Sequence, residues 1–259
     1  MIGLVGENSA TGADGPGGAL GERSGPVAHA EPDLPLRLVD MVVAQVDQTP
    51  ITLSEVVAET RLVLLRTQGL RVAERGSLDQ PFLNAVLSAI IQRELIQREI
   101  KRLQLRDLGD DDLAAGLSGL RRLLPTPALF EHFMDVAGFQ NFAPDAARAA
   151  GDPPPLLATI LRSERLVDRF VEVRIRANIT VTDAELRQCF ELHQEQLGMA
   201  WTAAAPVLRR TLARAKERAE LGDFIRDLAR RAAIRYAPSF EPERNLADFV
   251  ADEDLCEIP

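Results

Sequence analysis

Apolar and polar positions along the chain first predict a strand and then a helix. Residues 41–46 are apolar except for Gln45, and three valines favour a short, largely buried strand. The segment 47–50 is typical of a turn, because its proline cannot continue a strand ladder. Thr52 and Glu55 have the spacing of a capping box, which predicts a helix from there to about residue 66.

The strongest helical pattern covers Pro81–Leu103. Its apolar residues recur at steps of three and four, which predicts a wide buried stripe. The opposite face is charged, with Glu94 and Arg98 four residues apart in the favourable order, and we interpret it as a solvated face.

Further helix signals follow in the second half of the chain. Helix starts are expected at Asp110–Asp112, Thr126-Pro127, about residue 154 and a second capping box, Thr182–Glu185. Gly138 and Gly198 are expected to end two of these helices. Pro206 is predicted to open the last helix, and residues 232–236 to form a strand.

This order of elements predicts a mainly α fold: one strand, six or so helices, and a second strand. A lone strand leaves backbone groups unpaired, so the two terminal strands are expected to pair with each other. The last helix and strand, residues 206–237, would then complete a domain whose first part is 38–198. We expect one domain over residues 38–237.

Both ends of the chain differ from this body. Residues 1–31 hold eight of the seventeen glycines and no apolar periodicity, so residues 1–37 are expected to be disordered. Ala28-His-Ala30 has the form of a signal-peptidase site without the apolar stretch before it, which indicates either a chance match or a true start upstream of Met1. Residues 238–259 are expected to form an acidic, mobile tail.

The net charge of −9 is concentrated at those ends. Residues 1–31 carry −3 and residues 240–259 carry −6, so the remaining body is neutral. A neutral body with acidic ends has no electrostatic attraction to phosphate backbones, which argues against nucleic-acid binding. No apolar run of 18 or more residues exists, so we expect no membrane span.

The sequence shows no catalytic or metal-binding motif. Phosphate loops, nucleophile elbows and zinc-binding His-Glu-x-x-His patterns are missing, so we expect no cofactor and have no positive support for an enzyme. Cys189 and Cys256 are too few for a disulfide scaffold. Two free thiols are favoured over a single bridge between them, which stays open.

Several segments resemble one chaperone family in order and spacing. Val42-Val-Ala-Gln-Val-Asp-Gln-Thr-Pro-Ile-Thr-Leu-Ser-Glu-Val56 resembles the opening hairpin and helix of the SurA N-terminal domain. Leu87–Leu103 resembles its next long helix, although Gln104 replaces the usual glycine, and Val181-Thr-Asp-Ala-Glu185 resembles its later helix start. The likeness covers about residues 38–237.

The resemblance implies a multi-helix chaperone domain, related to that of trigger factor, that acts in the periplasm. It implies binding of unfolded, aromatic-rich chains such as outer-membrane proteins. SurA-type proteins insert a parvulin prolyl isomerase between segments that flank Gly198–Ala205 here. That link has eight residues and an isomerase needs about 100, so we expect the catalytic domain to be absent.

Candidate residues for an apolar peptide-binding crevice are chosen by type and placement: Phe130, Phe133, Met134 and Phe170. For each of them packing in the core is favoured over the crevice, because helical aromatic stripes usually face the core. The acidic tail could occupy the crevice, in which case deleting residues 240–259 should strengthen client binding. The alternative is a structural subunit bound to one partner, or to a second copy of itself.

Overall fold

The two ends of the folded part meet in one small antiparallel sheet. The computed structural model describes residues 40–105, 110–142 and 153–241, all within one compact unit, Val39–Pro259. The strands are β1 (Val42–Val46), β2 (Thr49–Thr52) and β3 (Ile234–Tyr236), in the order β2-β1-β3. Val46 pairs with Ile234 and Ala44 with Tyr236, so the predicted pairing of the terminal strands is confirmed.

Strand β2 corrects the prediction of a turn over residues 47–50. Only Asp47 and Gln48 form the turn, and Pro50 lies within β2 opposite Gln45. Because β2 is an edge strand, the missing N–H of proline can face outward at no cost to the ladder. Asp47 has φ 51°, and its Oδ1 accepts a 2.7 Å hydrogen bond from the backbone N–H of Ala233. The turn is thereby attached to the residue just before β3.

Eight α-helices make up most of the described chain: α1 (Leu53–Gln68), α2 (Leu70–Arg75), α3 (Gln80–Arg102), α4 (Asp110–Leu123), α5 (Pro127–Val136), α6 (Pro155–Arg174), α7 (Asp183–Leu197) and α8 (Trp201–Ala229). Thr52, Thr126 and Thr182 cap helix N-termini with their side chains. Thr182 and Glu185 form the complete capping box that the sequence predicts. Gly198 ends α7 with φ 56°, in the left-handed region.

Helix α8 begins five residues before the predicted start. Pro206 lies inside the helix, and Trp201 is its first residue. Proline has no N–H and normally opens a helix, but tertiary packing extends this one towards its N-terminus. The Trp201 ring packs edge-on against Phe190 at 5.4 Å between centroids, and Ala204 is fully buried. Only residues 198–200 therefore separate α7 from α8.

Three apolar clusters hold these elements together. The first joins the sheet to α3 and to the C-terminal part of α8, and the second joins α1 and α2 to α4, α5 and α6. The third is small and lies between α7 and the first half of α8, around Leu186, Cys189 and Leu208. We call α7 and residues 201–217 of α8 the arm, because they share this separate cluster.

A buried ion pair joins α1 to α3. Glu59 is 5% exposed and accepts two hydrogen bonds from the Arg93 guanidinium, one of them 2.8 Å from Nη1 to Oε2. Burial raises the pKa of the Glu59 carboxyl above its usual value, and the bonds from Arg93 offset only part of that effect. Arg66 makes a similar two-pronged contact with Glu164 at the surface, at 2.7 and 2.9 Å.

The folded body extends three residues beyond the predicted boundary at 237. Pro238–Phe240 form a 3₁₀ turn, and Phe240 is 4% exposed in the first apolar cluster. The predicted disordered segment, 1–37, and the rest of the predicted tail, residues 242–259, lie outside the described residues.

Candidate functional site

The four residues proposed from sequence do not form one surface. Phe133 and Met134 are fully buried in the second cluster, and Phe130 is partly buried against it. Phe170 is 6% exposed and belongs to the first cluster. Phe133, Met134 and Phe170 thus pack in the core in this conformation, and none of them presents a face to a peptide.

A half-open cleft of about 600 Å³ lies at the base of the arm. The end of α6, the segment 176–180 and the middle of α8 form its walls. Its lining is apolar at Ile175, Ile179, Ala219 and Phe224, and polar at Arg174, Asn178, Thr180, Lys216 and Glu220. Its volume lies within the usual range of ligand pockets, about 300–1,000 Å³. The mixture of apolar and polar side chains in the lining suits an amphipathic ligand.

Phe224 is the aromatic residue of the cleft, and the sequence alone did not single it out as a site residue. Its ring lies 5.6 Å from that of Phe170, at 32° between the ring planes. Phe170 therefore supports the cleft from behind while Phe224 remains partly exposed. Both lie on the apolar stripes of their helices, and the sequence carries no signal that distinguishes the supporting ring from the accessible one.

Two sets of polar contacts fix the walls of the cleft. The Lys216 ammonium donates to the Thr180 carbonyl at 2.7 Å and to Glu185 Oε1 at 2.6 Å. Arg176 donates to Glu217 at 2.6 Å and to Glu172 at 2.9 Å. Together they hold the segment between α6 and α7 against α8.

The Lys216 contact also changes the acidity of Glu185. The pKa of Glu185 is lowered from 4.5 to about 2. The largest cause is the hydrogen bond that Lys216 donates to the carboxylate, and the backbone N–H and hydroxyl of Thr182 donate further bonds to it. The capping box of α7 and the wall of the cleft therefore share one carboxylate, which is ionised throughout the neutral pH range.

Thr180 offers a backbone donor at the rim of the cleft. The preceding residue, Ile179, has extended dihedral angles, φ −79° and ψ 121°, and no hydrogen bond inside the described ranges starts at the Thr180 amide. An unused amide next to extended backbone can donate to a carbonyl of a second extended chain, as in recognition by β-strand addition.

The arm contains a disulfide. Cys189 is disulfide-bonded and 2% exposed, so the preference for two free thiols is wrong. The only other cysteine of the sequence is Cys256, which lies outside the described residues. Two cysteines can form a disulfide only if the fold brings their sulfur atoms together, and their spacing along the chain does not show whether it does.

The described ranges contain neither a metal-ion cluster nor a membrane-spanning helix. In them no group of three or more His, Cys, Asp or Glu side chains is placed to hold a metal ion. None of the helices there combines the length and the apolar character needed to cross a membrane.

Comparison with known proteins adds no family. No family model matches the chain, and no curated protein matches it. The likeness to the SurA N-terminal domain therefore rests on the sequence segments described above.

Proposed function

We propose that this domain is a non-catalytic chaperone that binds extended, apolar and aromatic segments of unfolded proteins in the cleft at the base of the arm. The observation that carries the proposal is the combination of Phe224 and Ile179 with the unused amide of Thr180 in one cleft. Such a surface accepts an extended chain through its backbone and its apolar side chains, without selecting one sequence.

Three further observations support this function. The terminal strands close the domain as the SurA-like order of segments requires. Only three residues join α7 to α8, so no inserted domain separates them. The disulfide at Cys189 suits an oxidising compartment such as the periplasm, where clients of outer-membrane type are unfolded in transit.

The direct test measures the affinity of the protein for a fluorescent, aromatic-rich unfolded peptide by anisotropy. Phe224→Ser removes the apolar contact, and burying one aromatic side chain is worth about 1.5–3 kcal/mol, so we expect affinity to fall about tenfold or more. Leu123→Ser is the matched control, since Leu123 is an exposed apolar residue on α4 outside the cleft, 45% exposed.

Equal affinities of the wild type and Phe224→Ser would exclude the cleft as the binding surface. A single tight stoichiometric complex with one partner, without suppression of aggregation of unrelated clients, would favour the structural subunit instead. Peptide affinity that rises on deletion of residues 242–259 would support competition by the tail, and unchanged affinity would exclude it.

A further inference from the structure

The arm has two sides of different chemistry. On one side Arg187 lies 5.4 Å from the centroid of the Trp201 ring, Trp201 packs on Phe190, and Arg209 pairs with Asp183 at 2.7 Å. Each of these contacts joins α7 to α8. The aromatic and charged side chains named here therefore have their partners within the arm.

Helical periodicity turns another set of residues to the opposite side: Leu192 of α7, with Val207, Arg210 and Arg214 of α8. Cys189 lies where this side borders the third apolar cluster. Leu192 is 66% exposed and Val207 41% exposed. Arg210 and Arg214 are exposed one turn apart, and no carboxylate of the described residues pairs with either. We call this the arginine side.

The segment after Glu241 is acidic and partly apolar, which complements the arginines and exposed apolar residues of the arginine side. Residues 242–259 contain six acidic side chains and one arginine, together with Phe249, Val250 and Leu255. Cys256 lies within this acidic segment and is the only possible intramolecular partner of the disulfide-bonded Cys189.

We propose that residues 242–259 dock on the arginine side of the arm, with a Cys189–Cys256 disulfide as the anchor. The carboxylates face Arg210 and Arg214, and the apolar residues beside Cys256 cover Leu192 and Val207. The arginine side is distinct from the cleft, whose residues on α8 are Lys216, Ala219, Glu220 and Phe224. Docking there requires no client and no chaperone activity.

The length of the segment permits this path. Along α8, Leu228 belongs to the first apolar cluster and Leu208 packs in the third cluster with Cys189. The twenty residues from one to the other correspond to about 30 Å of helix, which is the distance the segment must cover. The fifteen residues from Glu241 to Cys256 reach at most about 50 Å when extended. The segment therefore reaches Cys189 with length to spare.

The test measures how strongly docking promotes the disulfide in the full chain. The purified protein is equilibrated in glutathione buffers, quenched by alkylation, and the effective concentration of the two thiols is read by mass spectrometry after peptide mapping. We expect a Cys189–Cys256 bridge within one chain. Arg210→Glu with Arg214→Glu should lower the effective concentration about tenfold at low salt, and high salt should lower that of the wild type.

The matched control is Arg121→Glu with Arg122→Glu, the same two charge changes at exposed residues of α4, outside the arm. It should change the effective concentration by less than about twofold. Arg210→Gln with Arg214→Gln gives a milder second variant, and circular dichroism checks the helical content of each.

Three results would overturn the proposal. The first is a bridge from Cys189 to Cys256 of another copy. The second is an equal effect of the two charge-reversed pairs. The third is an effective concentration that does not depend on Arg210 and Arg214.

Discussion

The buried pair of Glu59 and Arg93 gives the sharpest test of how the helices are held together. The side chains of Glu59 and Arg93 are 7% and 15% exposed, so each has lost nearly all its hydration. Replacing Arg93 by Met leaves a buried carboxylate without its cation. Breaking such a pair costs about 3–5 kcal/mol, out of a total stability of about 5–15 kcal/mol for a typical domain.

Urea unfolding followed by circular dichroism measures this loss. With a slope of about 2 kcal/mol per molar urea, Arg93→Met should lower the midpoint by about 1.5–2.5 M. Arg66→Met is the matched control, because Arg66 contacts Glu164 with the same two-pronged geometry at 35% and 33% side-chain exposure. A surface pair contributes about 0–1 kcal/mol, so that midpoint should move by less than about 0.5 M.

The loss should also depend on pH. Without the guanidinium, the effect of burial on Glu59 is no longer opposed by Arg93, so the pKa of Glu59 lies further above the value in the unfolded chain. The penalty of Arg93→Met is therefore full above the folded-state pKa, shrinks as pH falls through that pKa, and is lost below about 4.5, where the carboxyl is neutral in both states. The double variant Glu59→Leu/Arg93→Met should be more stable than Arg93→Met at pH 7. Equal midpoints for Arg93→Met and Arg66→Met, or a loss that does not change with pH, would refute this reasoning.

Three further predictions concern the core and the arm. Phe133→Ala should cost about 3–5 kcal/mol in urea unfolding and Phe130→Ala clearly less, because only the first side chain is fully buried; equal losses would contradict this. Phe240→Ala should also cost about 3 kcal/mol, and a neutral result would mean that the fold ends before residue 238. Glu185 should contribute about 1 kcal/mol or less to stability, and this contribution should be lost as pH falls from 4.5 towards 2, since solvent screens the 37% exposed carboxylate. Lys216→Met should remove the largest part of the Glu185 contribution, and a pH dependence of stability equal to that of the wild type would argue against the contact.

Several helix boundaries could be predicted from sequence because the interactions that set them are local. Thr126 and Thr182 bind amides three residues away, and Gly198 adopts a left-handed conformation that other residues avoid. The pairing of β1 with β3 was also within reach, since an unpaired strand is costly and only two strands were visible.

Tertiary contacts overrode the local signals elsewhere. Pro50 would end a strand in most settings, and it is tolerated in β2 because no strand lies beyond that edge. Pro206 would open a helix, yet packing of Trp201 and Ala204 against α7 extends α8 in front of it.

The sequence by itself determined the helical class, the main caps and the closure of the domain by its terminal strands, because each depends on periodicity or on neighbours a few residues away. The tertiary structure alone decided which aromatic rings are accessible, that Glu59 meets Arg93, and that Cys189 has a partner. An amphipathic stripe predicts that a side chain faces the interior, but the residues that pack over that side chain come from helices distant in sequence. Phe170 and Phe224 both lie on such stripes. Only the packing of α6 against α8 buries the Phe170 ring and leaves the Phe224 ring as part of the cleft wall.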